Sequence, residues 1–189
     1  MRSLLFLITL ALAHLGFAFS VKRYDMAKFK VVFKHYRGGI KLEEAKRRLK
    51  AVEVMPAGFF AKRFGMYHAI DLLIDDRKMV VGDIFKQKVM TVHADGKVRI
   101  FPSYIDSLNY GQPIYAAAGK NIPPEPSRKC LRQMWAVKGK YFFIVKLKGS
   151  AKSCLRIAKK WGFEYTIFFD GGSTLVNEFT PAVAGVLKI

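Results

Sequence analysis

The sequence predicts an α+β fold in a single domain, with a largely antiparallel or mixed β-sheet built from hairpins and two main helices packed on the sheet faces. Short runs rich in β-branched and aromatic residues recur along the chain, separated by turn signals. Only two segments show helical spacing, one near each end. The chain has 189 residues and 51% hydrophobic content, enough for one buried core.

The first third of the chain supplies a strand and a helix. Residues 29–33 (FKVVF) have the composition of a strand. Residues 42–52 predict an amphipathic helix, because apolar side chains recur at three- and four-residue spacing while basic side chains occupy the other face. The apolar positions of this helix are Leu42, Ala45, Leu49 and Val52.

Hairpins dominate the middle of the chain, and a second helix follows them. Turns are predicted at Asp75-Asp76, at Asp95-Gly96 and at Lys138-Gly139, each between runs of strand composition. The second helix is predicted to begin at Ser150 or Ser153 and to end before Gly162, which is suited to a left-handed C-cap.

A carboxylate follows the last uncharged strand run. Residues 165–169 (YTIFF) predict a buried strand, and Asp170-Gly171-Gly172-Ser173-Thr174 come directly after it. One interpretation is that Asp170 caps a tight turn. The other is that the strand delivers a carboxylate to the rim of a sheet, where small residues let a ligand approach the backbone.

The N-terminus predicts export. Residues 1–18 combine the positive Arg2, an apolar stretch over residues 4–15, and the small residues Gly16 and Ala18, as in a signal peptide. We therefore expect a periplasmic or extracellular protein whose mature domain covers residues 19–189. An uncleaved anchor is the alternative, but the apolar stretch is short for a span and no other stretch is apolar enough, so no stable membrane span is expected after cleavage.

The formal charge of +19 favours anionic partners, namely phosphate-bearing polymers, envelope glycans, a membrane surface or nucleic acid. Its basic residues are spread along the chain, and no aromatic-basic recognition motif accompanies them, so no nucleic-acid partner is expected. Cys130 and Cys154 could form a disulfide in an oxidising compartment or remain two buried thiols. No metal site or cofactor is predicted, because the cysteines and histidines lack ligand spacing.

The order of motifs resembles the phosphodiester glycosidase family, which includes exported bacterial proteins related to exopolysaccharides. The resemblance extends from about residue 31 to residue 189. Its motifs are a turn at Pro56-Ala57-Gly58-Phe59-Phe60, hairpins at residues 72–80 and 95–97, a loop at Gly111-Gln112-Pro113, a strand at residues 132–136, a helix at residues 153–162, and Asp170-Gly171-Gly172-Ser173-Thr174.

This resemblance implies a hydrolase that cleaves a sugar-1-phosphodiester in envelope or extracellular polysaccharide. Asp170 is then the candidate acid/base or nucleophile, and Arg132 is the candidate phosphate ligand, because a guanidinium binds phosphate oxygens in a bidentate manner. The candidate substrate-binding residues are Gly58, Phe59, Gly111, Gly171, Gly172, Ser173 and Thr174. Tyr67, His68 and Asp71 are candidates for a second titrating group, or for ordinary surface and core positions.

The sequence also departs from the family pattern. Pro56 stands where the family has an asparagine, and proline offers neither a side-chain amide nor a backbone N–H. Gln112 interrupts the Gly-Pro loop, and the final signature is one small residue short. The alternative function is therefore a catalytically inactive family member that binds carbohydrate or phosphate in the envelope.

Overall fold

The computed structural model describes residues 19–63, 66–69, 71–81, 87–122, 126–169 and 179–189. Its strands are β1 (Phe19–Asp25), β2 (Phe29–Lys41), β3 (Glu53–Pro56), β4 (Phe60–Arg63), β5 (Met66–Ala69), β6 (Leu73–Asp75), β7 (Lys78–Val81), β8 (Val89–Val92), β9 (Val98–Phe101), β10 (Tyr115–Ala118), β11 (Cys130–Lys138), β12 (Tyr141–Gly149), β13 (Tyr165–Phe169) and β14 (Phe179–Lys188). Its helices are α1 (Leu42–Leu49), α2 (Tyr104–Ser107), a 3₁₀ turn (Leu108–Tyr110) and α3 (Ala151–Trp161).

The strands form three sheets. Sheet A has the order β1-β12-β11-β13, sheet B the order β7-β6-β10-β8-β9, and sheet C the order β3-β14-β2-β5-β4. Neighbouring strands in the described ranges pair antiparallel throughout. The expected α+β class with largely antiparallel sheet is therefore confirmed, with sheet dominating and the helices small.

All three sheets contribute to one apolar core. Trp135 of sheet A, Met90 of sheet B and Phe33 of sheet C are each fully buried members of the same cluster. Aromatic contacts join sheets A and C across this core, for example between Phe33 and Phe169, whose ring centroids lie 6.3 Å apart. The shared core fixes the end of β13 relative to the other two sheets.

The helices cover outer faces of the sheets. Helix α3 buries Cys154 and Ala158 against Met134 and Phe168 of sheet A. Helix α1 packs its apolar stripe, including Leu42 and Ala45, against sheet C. The short α2 adds Tyr104 to the outer cluster of sheet B. The predicted packing of both main helices on sheet faces is confirmed.

Caps set the helix boundaries. Ser150 caps α3 by accepting a hydrogen bond from the Ser153 backbone N–H at 3.2 Å, and Gly162 ends the helix with φ 62°. Both features were predicted. Helix α1 ends at Leu49, earlier than predicted, because Lys50 adopts the left-handed conformation with φ 51°.

Hairpin turns agree with the sequence, whereas strand lengths do not. Asp76 and Arg77 both have positive φ in the turn after β6, and β8 pairs with β9 around Gly96. Strand β2 continues to Lys41, well past its predicted end, because it pairs with β14 over most of its length. Strand β1 was not predicted at all.

Cys130 and Cys154 are free thiols in this structure. In the part of the chain that the structure describes, none of the helices combines the length and apolarity needed to cross a bilayer.

Candidate functional site

The end of β13 is the centre of the candidate site. Phe169, its last residue, pairs with Gln133 of β11 and is 2% exposed. Asp170 follows directly in the sequence, but residues 170–178 lie outside the described residues. The site is therefore built from the described side chains that surround Phe169.

The turn after β3 forms one wall. Gln133 is fully buried, and its Nε2 donates a hydrogen bond to the Pro56 carbonyl at 3.0 Å. This bond ties sheet A to the end of β3. Gly58 follows with φ 75°, a conformation that favours glycine, and a β-carbon there would lie 3.7 Å from the Ala118 carbonyl oxygen. The turn therefore lies against the end of β10.

The residues after β10 form the opposite wall. The Lys120 N–H donates to the Phe168 carbonyl at 2.9 Å, and the Phe168 N–H donates to the Lys120 carbonyl at 3.0 Å. The Lys120 ammonium lies 5.0 Å from the centroid of the Phe59 ring, which is cation–π geometry. A cation is thus held between the Gly58 turn and the strand that leads to Asp170.

Asp71 adds a buried carboxyl group. It is 4% exposed, and its Oδ2 has no hydrogen-bond partner among the described residues. Burial raises the pKa of Asp71, and the positive charge of Lys120 opposes this rise. A carboxyl group whose pKa is raised by burial next to a cation is a common feature of functional sites.

Lys88, the residue just before β8, connects the backbone that follows β10 to β13. Its ammonium donates to the Thr166 carbonyl of β13 at 2.9 Å, and its backbone carbonyl accepts from the Gly119 N–H at 2.9 Å. Burial lowers the pKa of Lys88. These bonds hold the backbone just before Lys120 against β13.

Gly58, Phe59, Asp71, Lys120 and Gln133 form a cluster at the end of β13, in which Asp71 and Gln133 are buried and Lys120 is half-buried. The Lys120 ammonium can bind an anionic oxygen, and Asp71 can hold or release a proton. The Oε1 of Gln133 has no partner among the described residues, and it can accept a hydrogen bond from a hydroxyl group. Electrostatic interactions of such groups are stronger away from water than in it. This combination suits a substrate with both a phosphate and hydroxyl groups.

The structure places the predicted residues in different locations. Gly58 and Phe59, which the resemblance implies as substrate-binding residues, lie in the cluster, and their role stays a prediction. Gly111 does not: it is exposed and ends the 3₁₀ turn, its N–H donating to the Leu108 carbonyl at 2.9 Å. It precedes the Tyr115 end of β10, whereas Gly58 contacts the Ala118 end. Gly111 is thus separated from Gly58 by the length of β10.

Arg132 lies on the other face of sheet A from Gln133, because neighbouring residues of a strand point to opposite faces. It is 7% exposed, its Nη2 donates to the Arg128 carbonyl at 3.1 Å, and its charge acts on the Cys154 thiol of α3. Arg132 therefore faces α3. Whether it reaches Asp170 stays a prediction, since Asp170 to Thr174 lie outside the described residues.

Sequence reasoning missed Lys120 and gave Gln133 no role. A signal for Lys120 exists in the run Ala116-Ala117-Ala118-Gly119, whose small side chains permit close backbone packing. A β-carbon at Gly119 would lie 2.5 Å from the Phe168 carbonyl oxygen. Asp71 was a candidate on sequence grounds, and only the structure shows that it is buried beside Lys120.

No protein-family model matches this chain, and no curated protein matches its sequence. Its fold does match a solved structure, the catalytic domain of zebrafish N-acetylglucosamine-1-phosphodiester alpha-N-acetylglucosaminidase, auto-inhibited by its pro-peptide. The TM-score is 0.67 at 11% sequence identity, and the match covers 92% of this chain and 84% of the zebrafish chain. The resemblance drawn from motif order is supported at the level of the fold.

Proposed function

We propose that this protein is an exported hydrolase that cleaves a sugar-1-phosphodiester in envelope or extracellular polysaccharide. The observation that carries the proposal is the buried Asp71 carboxyl, on which the charge of Lys120 acts, together with the pairing of Lys120 with the strand that leads to Asp170. The fold shared with the catalytic domain of a phosphodiester glycosidase supports the reaction class.

In the proposed reaction, water adds to the anomeric carbon of the sugar. The bond from that carbon to the phosphate oxygen breaks, and its electron pair leaves with the phosphate. A proton from the water passes to a carboxylate, which we assign to Asp170. Lys120 stabilises the negative charge on the departing phosphate, and Asp71, whose pKa burial raises, is assigned to donate a hydrogen bond or a proton to it when protonated.

The walls of the cluster position the sugar. Phe59 is half-buried and presents an aromatic face next to the Lys120 ammonium. Gly58 allows close approach to the backbone, and we assign the same role to Gly171 and Gly172, with Ser173 and Thr174 as hydroxyl donors. Arg132 is the other candidate phosphate ligand. Its guanidinium faces α3, so the proposal assigns the phosphate to Lys120, and comparing variants of the two residues tests this choice.

Turnover of UDP-N-acetylglucosamine, followed by released sugar and UDP, tests the proposal. Wild-type protein is expected to be active, and Asp170→Asn, Asp71→Asn and Lys120→Gln are expected to reduce turnover by at least about a hundredfold. Asp76→Asn is the matched control: Asp76 is an exposed turn residue with φ 49°, a conformation that asparagine tolerates. Full activity of Asp71→Asn would contradict the assigned role.

A second function is favoured by Pro56. Its carbonyl is already occupied by Gln133, and proline has no N–H to offer a substrate. The second candidate function is therefore binding of a sugar phosphate without catalytic turnover. Calorimetric binding of N-acetylglucosamine-1-phosphate that Lys120→Gln abolishes, with no release of UDP by the wild type, would identify that function. Lys78→Gln, at an exposed lysine of β7, is the control for lost charge.

A further inference from the structure

A cavity lies on sheet A, at the end where β11 turns into β12. Its volume is about 530 Å³, within the usual range for small-molecule sites. It is bounded by β1, by the Gly139 turn and by the segment that follows α3. None of the described residues that we assign to the hydrolase site lines this cavity, so a ligand bound there would serve a purpose beyond the proposed function.

The floor of this cavity is apolar and aromatic. Phe143 and Phe163 have ring centroids 4.8 Å apart, and Trp161 lies 5.9 Å from Phe163. Val21 of β1 completes the floor. Phe143 is buried, whereas Trp161 and Phe163 are only half-buried, so the cavity exposes apolar surface to solvent. Such a surface suits an alkyl chain or another apolar group of a ligand.

The rim is cationic. Arg23, Lys138 and Lys140 line the cavity, and Glu164 is the single carboxylate among the described residues that line it. The Oε1 of Glu164 accepts a hydrogen bond from the Gly139 N–H at 3.1 Å. The Lys138 ammonium donates to the Trp161 carbonyl at 2.8 Å, and this partner carries no charge.

The other two cations lie over the same aromatic ring. The Arg23 guanidinium lies 4.9 Å and the Lys140 ammonium 5.3 Å from the centroid of Tyr141. Lys140 also lies 3.5 Å from the Asp25 carboxylate, which balances part of its charge. Positive charge therefore remains in excess at the mouth of the cavity.

This cavity is separate from the hydrolase site. The residues that line it belong to the α3 face of sheet A, on which Val21, Phe163 and Leu147 pack with the helix. It lies near Tyr165, the first residue of β13, because the Glu164 N–H donates to the Val137 carbonyl at 3.1 Å. The hydrolase cluster surrounds Phe169, the last residue of β13, on the core face.

We propose that this cavity binds a single-chain organic anion, with its alkyl chain on the aromatic floor and its carboxylate or phosphate at the cationic rim. The three cations outnumber the Glu164 and Asp25 carboxylates near them, and this excess of positive charge disfavours a cationic ligand. A neutral sugar is disfavoured as well, because its hydroxyl donors would find few acceptors on this lining.

Titration with three ten-carbon amphiphiles below their micelle concentrations tests head-group choice. The probes are decyl phosphate, decyl maltoside and decyltrimethylammonium, which share the chain and differ in charge. Calorimetry is expected to give one site for decyl phosphate and at least about tenfold weaker binding for the other two. Equal affinity for all three, or no binding of decyl phosphate, would overturn the proposal.

Substitutions locate the site. The double change Arg23→Glu with Lys140→Glu is expected to weaken decyl phosphate binding by at least about tenfold. The matched control is Lys30→Glu with Lys41→Glu, which changes the net charge equally at exposed positions of β2 in sheet C. Equal weakening by both doubles would show general charge attraction and would overturn the site.

Trp161 supplies a local readout that does not depend on the charged residues. The chain has two tryptophans, and Trp135 is fully buried in the core. Decyl phosphate is expected to shift the fluorescence of the wild type and to protect it from iodide quenching. Trp161→Phe keeps the aromatic floor and should lose the signal while retaining calorimetric binding. A fluorescence shift that persists in Trp161→Phe would place the ligand elsewhere.

Cosedimentation with vesicles distinguishes a free amphiphile from a membrane lipid as its source. Retention on phosphatidylglycerol vesicles that the Arg23/Lys140 double change abolishes, and the Lys30/Lys41 double change does not, assigns the anion to a lipid. Retention that both double changes lower equally assigns the site to free amphiphiles, provided that monomeric decyl phosphate still discriminates between the two variants.

Discussion

Gly119 and the Phe168 carbonyl approach so closely that a β-carbon at position 119 would lie 2.5 Å from the carbonyl oxygen. The Ile167 side chain would lie only 2.6 Å from the same β-carbon. This approach allows Lys120 to pair with Phe168 through both backbone hydrogen bonds, and so it places the Lys120 ammonium beside the end of β13.

Gly119→Ala is expected to destabilise the protein by about 1–3 kcal/mol, because backbone and core atoms have to move to admit the methyl group. Gly149→Ala is the matched control: its β-carbon would meet Leu147 at 3.5 Å, an ordinary contact. The control should stay within about 0.5 kcal/mol of the wild type. Urea unfolding measures both, and equal stability of the two variants would show that the approach is not restrictive.

Asp71→Asn is expected to stabilise the fold near neutral pH while it lowers turnover. Burial raises the folded-state pKa of Asp71, so the folded protein holds its proton more tightly than the unfolded chain. The stability from this proton is fully present below the unfolded pKa and is lost as the pH rises through the folded pKa. Asparagine does not ionise, so the Asp71→Asn variant should not lose this stability as the pH rises.

Thermal unfolding of wild type and Asp71→Asn across pH provides the measurement. The difference between them should shrink as the pH falls below about 4, where Asp71 is protonated in both states. A variant that is less stable than the wild type at every pH would indicate that Asp71 is a structural carboxylate with partners of its own.

Asp95→Asn is expected to flatten the acid end of the stability profile. Hydrogen bonds from Arg99 lower the pKa of Asp95 to about 2, so its stabilising contribution is present above the unfolded pKa and is lost as the pH falls towards 2. The pair is partly exposed, which limits its contribution to about 1 kcal/mol or less. The free energy of unfolding, measured by urea denaturation at several pH values, should fall more steeply for the wild type than for Asp95→Asn between about pH 4 and pH 2.

The two thiols are expected to react very differently. Cys154 is fully buried, and burial raises its pKa to about 11, whereas Cys130 is half-buried. The thiolate is the reactive form, so native protein should incorporate iodoacetamide at Cys130 first and at Cys154 only after unfolding. Mass spectrometry with and without reductant checks this. Labelling that needs reductant at both positions would reveal a disulfide.

The sequence determined the local structure where backbone chemistry is specific. The turn after β6, the hairpin around Gly96 and both caps of α3 follow from residue type, because left-handed conformations and N-cap hydrogen bonds have few suitable side chains. The two main helices were predicted from apolar side chains at three- and four-residue spacing. The extent of β2 was not, because its polar second half is held by pairing with β14.

The cluster around Phe169 was only partly visible in the sequence. Gly58 and Phe59 were identified through the resemblance, whereas Lys120 carries no local mark of function. Gln133 stands next to Arg132 in the sequence, yet the pleat of β11 directs the two side chains to opposite faces of sheet A.

What the sequence alone determined is the two main helices, the hairpin turns after β6, at Gly96 and at Gly139, and the excess of positive charge. Only the tertiary structure decided that Asp71 is buried where the charge of Lys120 acts on it, and that Arg23 and Lys140 line an aromatic cavity near the start of β13. The physical reason is that burial, pKa and charge balance depend on packing between strands far apart in the chain.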